Sequence, residues 1–359
     1  MATDAAERRD ALVERLFSST IGAFDLAGVY VGERLGLYRA LAEQGALTAG
    51  ELADATGMDE RYALEWLEHQ AASSILDADE SGGTWRFRLP EGHDEALLDE
   101  TSLNYVTPFS RLLVACLRPI DSLLAAYKTG EGDAYGDYGA DLHEGQAAFT
   151  RPMFLTLLAQ EWLPGVPEIH ERLVADPPAR VADVACGCGW SSIGMAQGYS
   201  KIQVDGIDLD DPSIELARRH LAATSLGDRV TFHAQDAADS GLGGRFDLVT
   251  MFESLHDLSY PVQVLQACRG LLADGGVVLV GDELTGETFD PEAGDLERLY
   301  YGFSILHCLP VGMVGEGAAG TGTVMRADTV RRFAEEAGFS SIEIAPIEND
   351  FWRFYLLRP

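Results

Sequence analysis

The sequence predicts an α/β domain of alternating strands and helices in its second half, preceded by a mostly α-helical domain. Three observations carry this. The chain has 359 residues with 47% hydrophobic content, enough for two cores. From Val181 onward, short apolar runs alternate with helical ones, the order expected of a parallel sheet with crossover helices. Before that point the longest patterned stretch, residues 12–42, repeats its apolar residues at helical spacing. The expected boundary divides residues 1–165 from 166–359.

Within the first domain, Leu16, Phe17, Ile21, Phe24, Leu26, Val29, Tyr30 and Leu35 form the apolar set of the long helical stretch. Helix-turn-helix spacing follows: Thr48 as N-cap with Glu51 three residues on, a turn at Gly57, and a second helix from about Asp59. Residues 75–89, where Trp85 and Phe87 alternate with Arg86 and Arg88, read as a wing. This winged-helix pattern invites a DNA-reading function, and charge excludes it. From 48 to 70 the acids are Glu51, Asp54, Asp59, Glu60, Glu65 and Glu68 against Arg61, a sign that phosphates repel.

The second domain opens on V-A-D-V-A-C-G-C-G-W from Val181: a buried strand ending near Asp183, then a turn through Ala185, Gly187 and Gly189, then a helix from Trp190. A second strand stops on Asp208, about 20 residues past the glycines, where a ribose hydroxyl needs an acceptor. A dinucleotide fingerprint needs a third glycine where Ser192 stands, so a pyrophosphate site, and with it a dinucleotide oxidoreductase, is disfavoured. Then come a helix over 212–223, a strand running to Asp236, and R-F-D-L-V-T-M-F-E-S-L-H-D, a fourth strand reaching His256 and Asp257. A helix over 260–272 is expected to end on a glycine C-cap at D-G-G, before a fifth strand reaching Asp282 and Glu283. A helix over 326–337 and a hairpin of 341–346 with 351–357 close the domain.

These marks in this order resemble class I S-adenosylmethionine-dependent methyltransferases. With the winged-helix pattern, the resemblance extends over nearly the whole chain to small-molecule O-methyltransferases of plants and of bacterial natural-product pathways. It implies a Rossmann-like sheet with a C-terminal β-hairpin, S-adenosylmethionine as cofactor with S-adenosylhomocysteine as product, and a homodimer through the N-terminal domain. Cofactor residues implied are Asp183, Ala185, Gly187, Gly189, Asp208 with Leu209, Asp236 with Ala237, and Met251 with Phe252. His256 of the H-D pair is implied as general base, with Asp257 beside it, and a reference pKa of about 6.5 suits a histidine to that task. Glu283 is the expected carboxylate that orients the base, and Asp282 the reserve candidate. The family's second orienting glutamate has no match, since Val324 stands in its place. His307, Tyr138 and Phe149 are the acceptor-facing candidates. The residues leave oxygen, carbon and nitrogen acceptors open, together with a cofactor-binding regulator or a non-methylating use of the site.

Composition bounds the partners. A formal charge of −32 argues against nucleic acid and anionic membranes. No apolar run has a membrane-spanning length and the start carries no apolar signal core, so a cytoplasmic location is expected. The five cysteines are odd in number and scattered, as reduced thiols would be. Cys186 and Cys188 lack the second cysteine pair a structural zinc would require, so no metal is expected.

Overall fold

The structure is a computed structural model and describes residues 2–239, 241–242 and 244–359. The chain divides into two compact units, Met1–Val114 and Ala115–Pro359.

In the first unit a helix of 33 residues, Ala2–Arg34, stops before Gly36, whose φ of +69° no helix continues. Helices Leu37–Gln44, Ala49–Thr56 and Glu60–Ala72 follow. The capping box forms as expected: Glu51 N–H donates to Thr48 Oγ1 at 3.2 Å, and Thr48 N–H to Glu51 Oε2 at 2.8 Å. Asp59 caps the second helix by accepting from the Arg61 N–H at 2.9 Å. The wing is the antiparallel pair β1 (Asp77–Ser81) and β2 (Thr84–Arg88), turned by Gly82 and Gly83. Leu37, Tyr38, Leu41, Leu52, Ala63, Leu67 and Phe87 fill the core of this unit. The apolar set of the long helix splits: Val29 is buried there, whereas Phe17 and Phe24 are 68% and 65% exposed.

The second unit is built on a seven-stranded sheet. Its strands are β3 (Arg180–Val184), β4 (Gln203–Asp208), β5 (Val230–Ala234), β6 (Phe246–Phe252), β7 (Leu272–Glu283), β8 (Ser341–Ile344) and β9 (Trp352–Arg358). Their spatial order is β5-β4-β3-β6-β7-β9-β8, with β3 to β7 parallel and β9 antiparallel to both its neighbours. The chain moves outward from β3 through β4 to β5, then returns to place β6 on the other side of β3. Ligands of open α/β sheets collect beyond the strand ends at such a reversal. Helices cover both faces, so β3 sends Val181 into one core and Ala182 into the other.

Residues 115–165 fall in the same compact unit as this sheet. Within that unit helix Ala140–Thr156 packs closely on helix Trp190–Gly198. A Cβ on Gly194 would lie 2.2 Å from the Phe154 carbonyl oxygen, and one on Gly198 would lie 2.1 Å from Ala159 Cβ. Trp162 and Phe354 lie in the same core, their ring centroids 5.1 Å apart, each burial worth about 1.5–3 kcal/mol.

One local expectation is corrected. The D-G-G at 274–276 is not a helix C-cap. Helix Pro261–Leu271 ends at Leu272, and Gly275 and Gly276 lie inside β7, at a register irregularity against β6. A side chain on Gly276 would meet the Phe246 carbonyl oxygen at 2.6 Å, so these glycines serve strand pairing. Among the described residues no helix is long and apolar enough to cross a membrane.

Candidate active site

The turn after β3 is built for close approach. Ala185, Gly187 and Gly189 all take positive φ, at +55°, +49° and +82°. Ala185 holds a conformation that costs a residue with a Cβ roughly 1–2 kcal/mol, strain kept at a site. Gly189 is required twice over, because a Cβ there would strike the Phe232 ring at 2.5 Å. Above Gly187 a built Cβ meets nothing within 4 Å, leaving open space beside the turn.

Asp208 ends β4 alongside this turn. Its Oδ2 accepts from the Gly187 N–H at 2.8 Å and its Oδ1 from the Asp210 N–H at 2.9 Å, so the carboxylate is fixed in place. Burial raises its pKa against those two bonds. Asp183 has a different position. It is 1% exposed, and its carboxylate accepts from the hydroxyls of Ser191 at 2.5 Å, Ser192 at 2.6 Å and Thr250 at 2.8 Å. It ties the start of the Trp190–Gly198 helix to β3 and β6 from beneath. Ser192, where a third glycine would stand, is part of that tie.

Asp236 is exposed and accepts from the Ala238 N–H at 2.8 Å; Leu209 is 73% exposed and Ala237 is half-buried. Met251 and Phe252 are buried. Met251 packs in one core, and Phe252 lies parallel to Trp352 in the other at 6.5 Å between centroids.

At the end of β6 a short turn, Leu255–Asp257, carries His256, which is 2% exposed. Its Nδ1 lies 2.9 Å from Asp282 Oδ1 and 2.9 Å from Glu283 Oε2, both at the end of β7. The expected orienter and the reserve candidate therefore both stand against the same ring nitrogen. Burial pushes the imidazole pKa down, and the Glu283 and Asp282 charges outweigh it and hold it well above its ordinary value. Burial raises Glu283 well above the carboxylate range, while the His256 charge and hydrogen bond bring Asp282 below it. Asp257 is pushed up to about 6, chiefly by burial. Glu253, with φ +51°, is pushed by burial to about 7, and its Oε2 is buried without a hydrogen-bond partner.

The acceptor-facing candidates fall into distinct environments. Tyr138 is fully buried, its hydroxyl donating to the Leu306 carbonyl at 2.9 Å and its ring 4.6 Å from His307, edge to face. Phe149 packs on the core. His307 is 7% exposed, burial lowers its pKa to about 3, and its Nε2 has no hydrogen-bond partner.

Comparison with known proteins bears on this arrangement. Residues 182–278 match a family model described as a methyltransferase domain, and residues 26–99 one described as an Rv2258c-like winged HTH domain. The chain thus carries a methyltransferase domain behind a winged-helix domain. The methyltransferase region is 37% identical over 109 residues to the ubiquinone biosynthesis O-methyltransferase of Xanthomonas campestris, covering 30% of this chain and 44% of that protein. Its counterpart in Shewanella halifaxensis is 33% identical over 99 residues, covering 28% and 41%. The chain thus spans less than half the length of these curated relatives. By structure it is similar to human N-acetylserotonin methyltransferase in complex with SAM, with a TM-score of 0.68, 18% identity and 97% of each chain covered. It is also similar to the mitomycin 7-O-methyltransferase MmcR, with a TM-score of 0.70, 18% identity and 99% and 100% covered. At such identity these two likenesses speak to the fold alone.

Two sets of donor atoms in the methyltransferase domain lie within 4.8 Å of one another, His256 with Asp257 and Cys308, and His256 with Asp282 and Glu283. Cys186 and Cys188 are buried thiols whose pKa burial raises, as small fillers of a narrow turn would be. Two residues of this domain were not legible as site residues. Glu253 reads as one more residue of a strand until its positive φ is seen. Tyr135 shares an aromatic stretch with Tyr138, and nothing in the linear order says which ring faces the site.

Proposed function

We propose that the protein transfers a methyl group from S-adenosylmethionine to a hydroxyl of a small molecule, with His256 as general base. The carrying observation is the pairing of His256 Nδ1 with Asp282 and Glu283, which fixes the imidazole and stabilises its charged form. The positive-φ turn, the open space at Gly187 and the fixed carboxylate of Asp208 fit an adenosine ligand. That ligand would supply an electrophilic methyl on a positively charged sulfur. Asp208 would accept from the ribose hydroxyls, and the glycine turn would let the backbone approach. His256 must be neutral to take a proton. Its two carboxylates favour the imidazolium, and positive charge brought into the pocket opposes that, so the loaded site favours the base form. Once it has the proton, the same carboxylates stabilise the imidazolium.

Calorimetric titration with S-adenosylmethionine, S-adenosylhomocysteine and NAD, followed by a mass-spectrometric screen of hydroxylated small molecules, tests this reading. Binding of the two sulfur ligands and a product heavier by one methylene support it. In His256→Ala, turnover should fall by roughly 10²–10⁴-fold with S-adenosylhomocysteine affinity nearly intact. Unchanged turnover removes His256 from the chemistry, and binding of NAD alone overturns the cofactor.

A second reading is favoured by the raised His256 pKa: the imidazolium donates a hydrogen bond, and the acceptor is a carbon or nitrogen. Turnover then falls as pH rises, where a general base makes it rise.

We further infer a homodimer through the N-terminal domain. Val13, Phe17, Ile21 and Phe24 recur at helical spacing along Ala2–Arg34 and are 62%, 68%, 47% and 65% exposed, a stripe that a second copy would cover.

A further inference from the structure

Residues 130–143 of the second unit, ahead of and entering helix Ala140–Thr156, form a strap fastened along its length. Asp133 N–H donates to the Pro310 carbonyl at 3.1 Å, and Tyr138 Oη to the Leu306 carbonyl at 2.9 Å. Gly132 fits so closely that a Cβ would lie 2.5 Å from the Val314 nitrogen. At the far end, His143 Nε2 stands 2.9 Å from Asp210 Oδ2, two residues past Asp208, and Cys188 Sγ reaches the His143 carbonyl at 3.6 Å. One end of the strap therefore holds the segment that carries His307, and the other holds the glycine turn and the loop after β4.

Between these fastenings lies Tyr135. Its ring sits edge to face against His143 at 5.1 Å and against His307 at 5.7 Å. Burial dominates the environment of its hydroxyl, and the charges acting there belong to Cys188, Asp208, Asp257 and Asp210. Among them are the acid that would hold the ribose and the acid beside the catalytic histidine. The methyl group must pass between those same two points, from a sulfur attached to the ribose to an acceptor at His256.

We propose that the Tyr135 hydroxyl contacts the sulfonium and its methyl group, held there by the strap, and so favours the charged methyl donor over the neutral product. This rests on the cofactor reading above. Its oxygen presents lone pairs to a cation and to polarised C–H groups, an attraction that the uncharged thioether of the product lacks. With its pKa raised far above 10, the phenol stays neutral, so it orients the donor and does not take the proton.

The test uses the full chain and its Tyr135→Phe variant, in which only the oxygen is lost and the ring contacts with His143 and His307 are kept. Affinities for S-adenosylmethionine and S-adenosylhomocysteine are measured by calorimetry and compared as a ratio. The variant should lose donor affinity relative to product by roughly 2- to 10-fold, with product affinity within about twofold of the parent. In parallel, the methyl protons of bound S-adenosylmethionine carrying a ¹³C-methyl label should resonate further downfield in the parent than in the variant. A ratio unchanged by the substitution, or equal losses for both ligands, overturns the proposal. Failure of the parent to bind either ligand would instead overturn the cofactor reading, so the two are told apart.

Discussion

Nδ1 of His256 and Oε2 of Glu283 stand 2.9 Å apart, both side chains almost wholly out of water. Asp282 meets the same nitrogen at the same distance, so one N–H faces two carboxylates that cannot both ionise cheaply. The Glu283 and Asp282 charges hold the imidazole pKa up against burial, burial raises Glu283, and for Asp282 the His256 charge and hydrogen bond outweigh burial and bring it down.

From it follows a pH profile. Because the His256 pKa is raised, its base form grows as pH rises, and kcat/KM should climb through neutral into alkaline pH. Asp282→Asn removes one charge that holds the proton, so the climb should move to lower pH, with a loss of roughly 10- to 100-fold at the plateau from poorer orientation. A climb that stays in place in the variant would mean that another group titrates.

Asp208→Ala should weaken S-adenosylhomocysteine binding by about 1–3 kcal/mol, since ribose hydroxyls lose an acceptor and the Gly187 N–H loses its partner. Isothermal calorimetry reads this directly. An affinity within twofold of the parent would place the ribose elsewhere.

Gly194→Val should lower stability by about 1–3 kcal/mol, because a Cβ there would lie 2.2 Å from the Phe154 backbone oxygen and push two packed helices apart. Denaturant melts of the variant and of Gly270→Ala, where a Cβ meets nothing within 4 Å, give the comparison.

The His143 to Asp210 contact should stabilise the fold over a bounded pH range. The hydrogen bond to Asp210 raises the His143 pKa against burial. For Asp210, burial pushes up, and the bonds from His143 and Ser213 outweigh it and bring the pKa down. A raised histidine contributes stability fully present below its ordinary pKa of about 6.5 and lost as pH rises through the raised value. A lowered carboxylate contributes stability lost as pH falls through its lowered value. His143→Gln should therefore cost on the order of 1 kcal/mol in mildly acidic buffer and less in alkaline buffer, read as the difference in Tm across pH.

Phe17→Asp with Phe24→Asp should shift the protein from dimer to monomer in light scattering. Since both side chains are exposed within one chain, the Tm of the monomer's second unit should hold. A parent that is already monomeric would remove the dimer reading.

Much of this molecule was legible in the order of its residues. The V-A-D-V-A-C-G-C-G turn, Asp208 at the end of β4 and the H-D pair after β6 are local patterns, because strands, tight turns and helix caps are set by neighbours a few residues apart. The capping box of Thr48 and Glu51 was readable for the same reason. What the sequence could not determine were contacts between residues far apart along the chain. It did not show that Asp282 joins Glu283 on one imidazole nitrogen, or that Asp183 is occupied by three hydroxyls while Asp208 accepts from the backbone N–H groups of Gly187 and Asp210. Nor could it show that residues 115–165 pack with the sheet, since that depends on two glycines meeting a helix some forty residues earlier. Tyr135 and Tyr138 are three residues apart and chemically alike. Only the tertiary structure decides that Tyr138 donates to a carbonyl inside the fold while the Tyr135 ring packs against both His143 and His307, because the direction of a side chain in a loop is set by what the loop is fastened to.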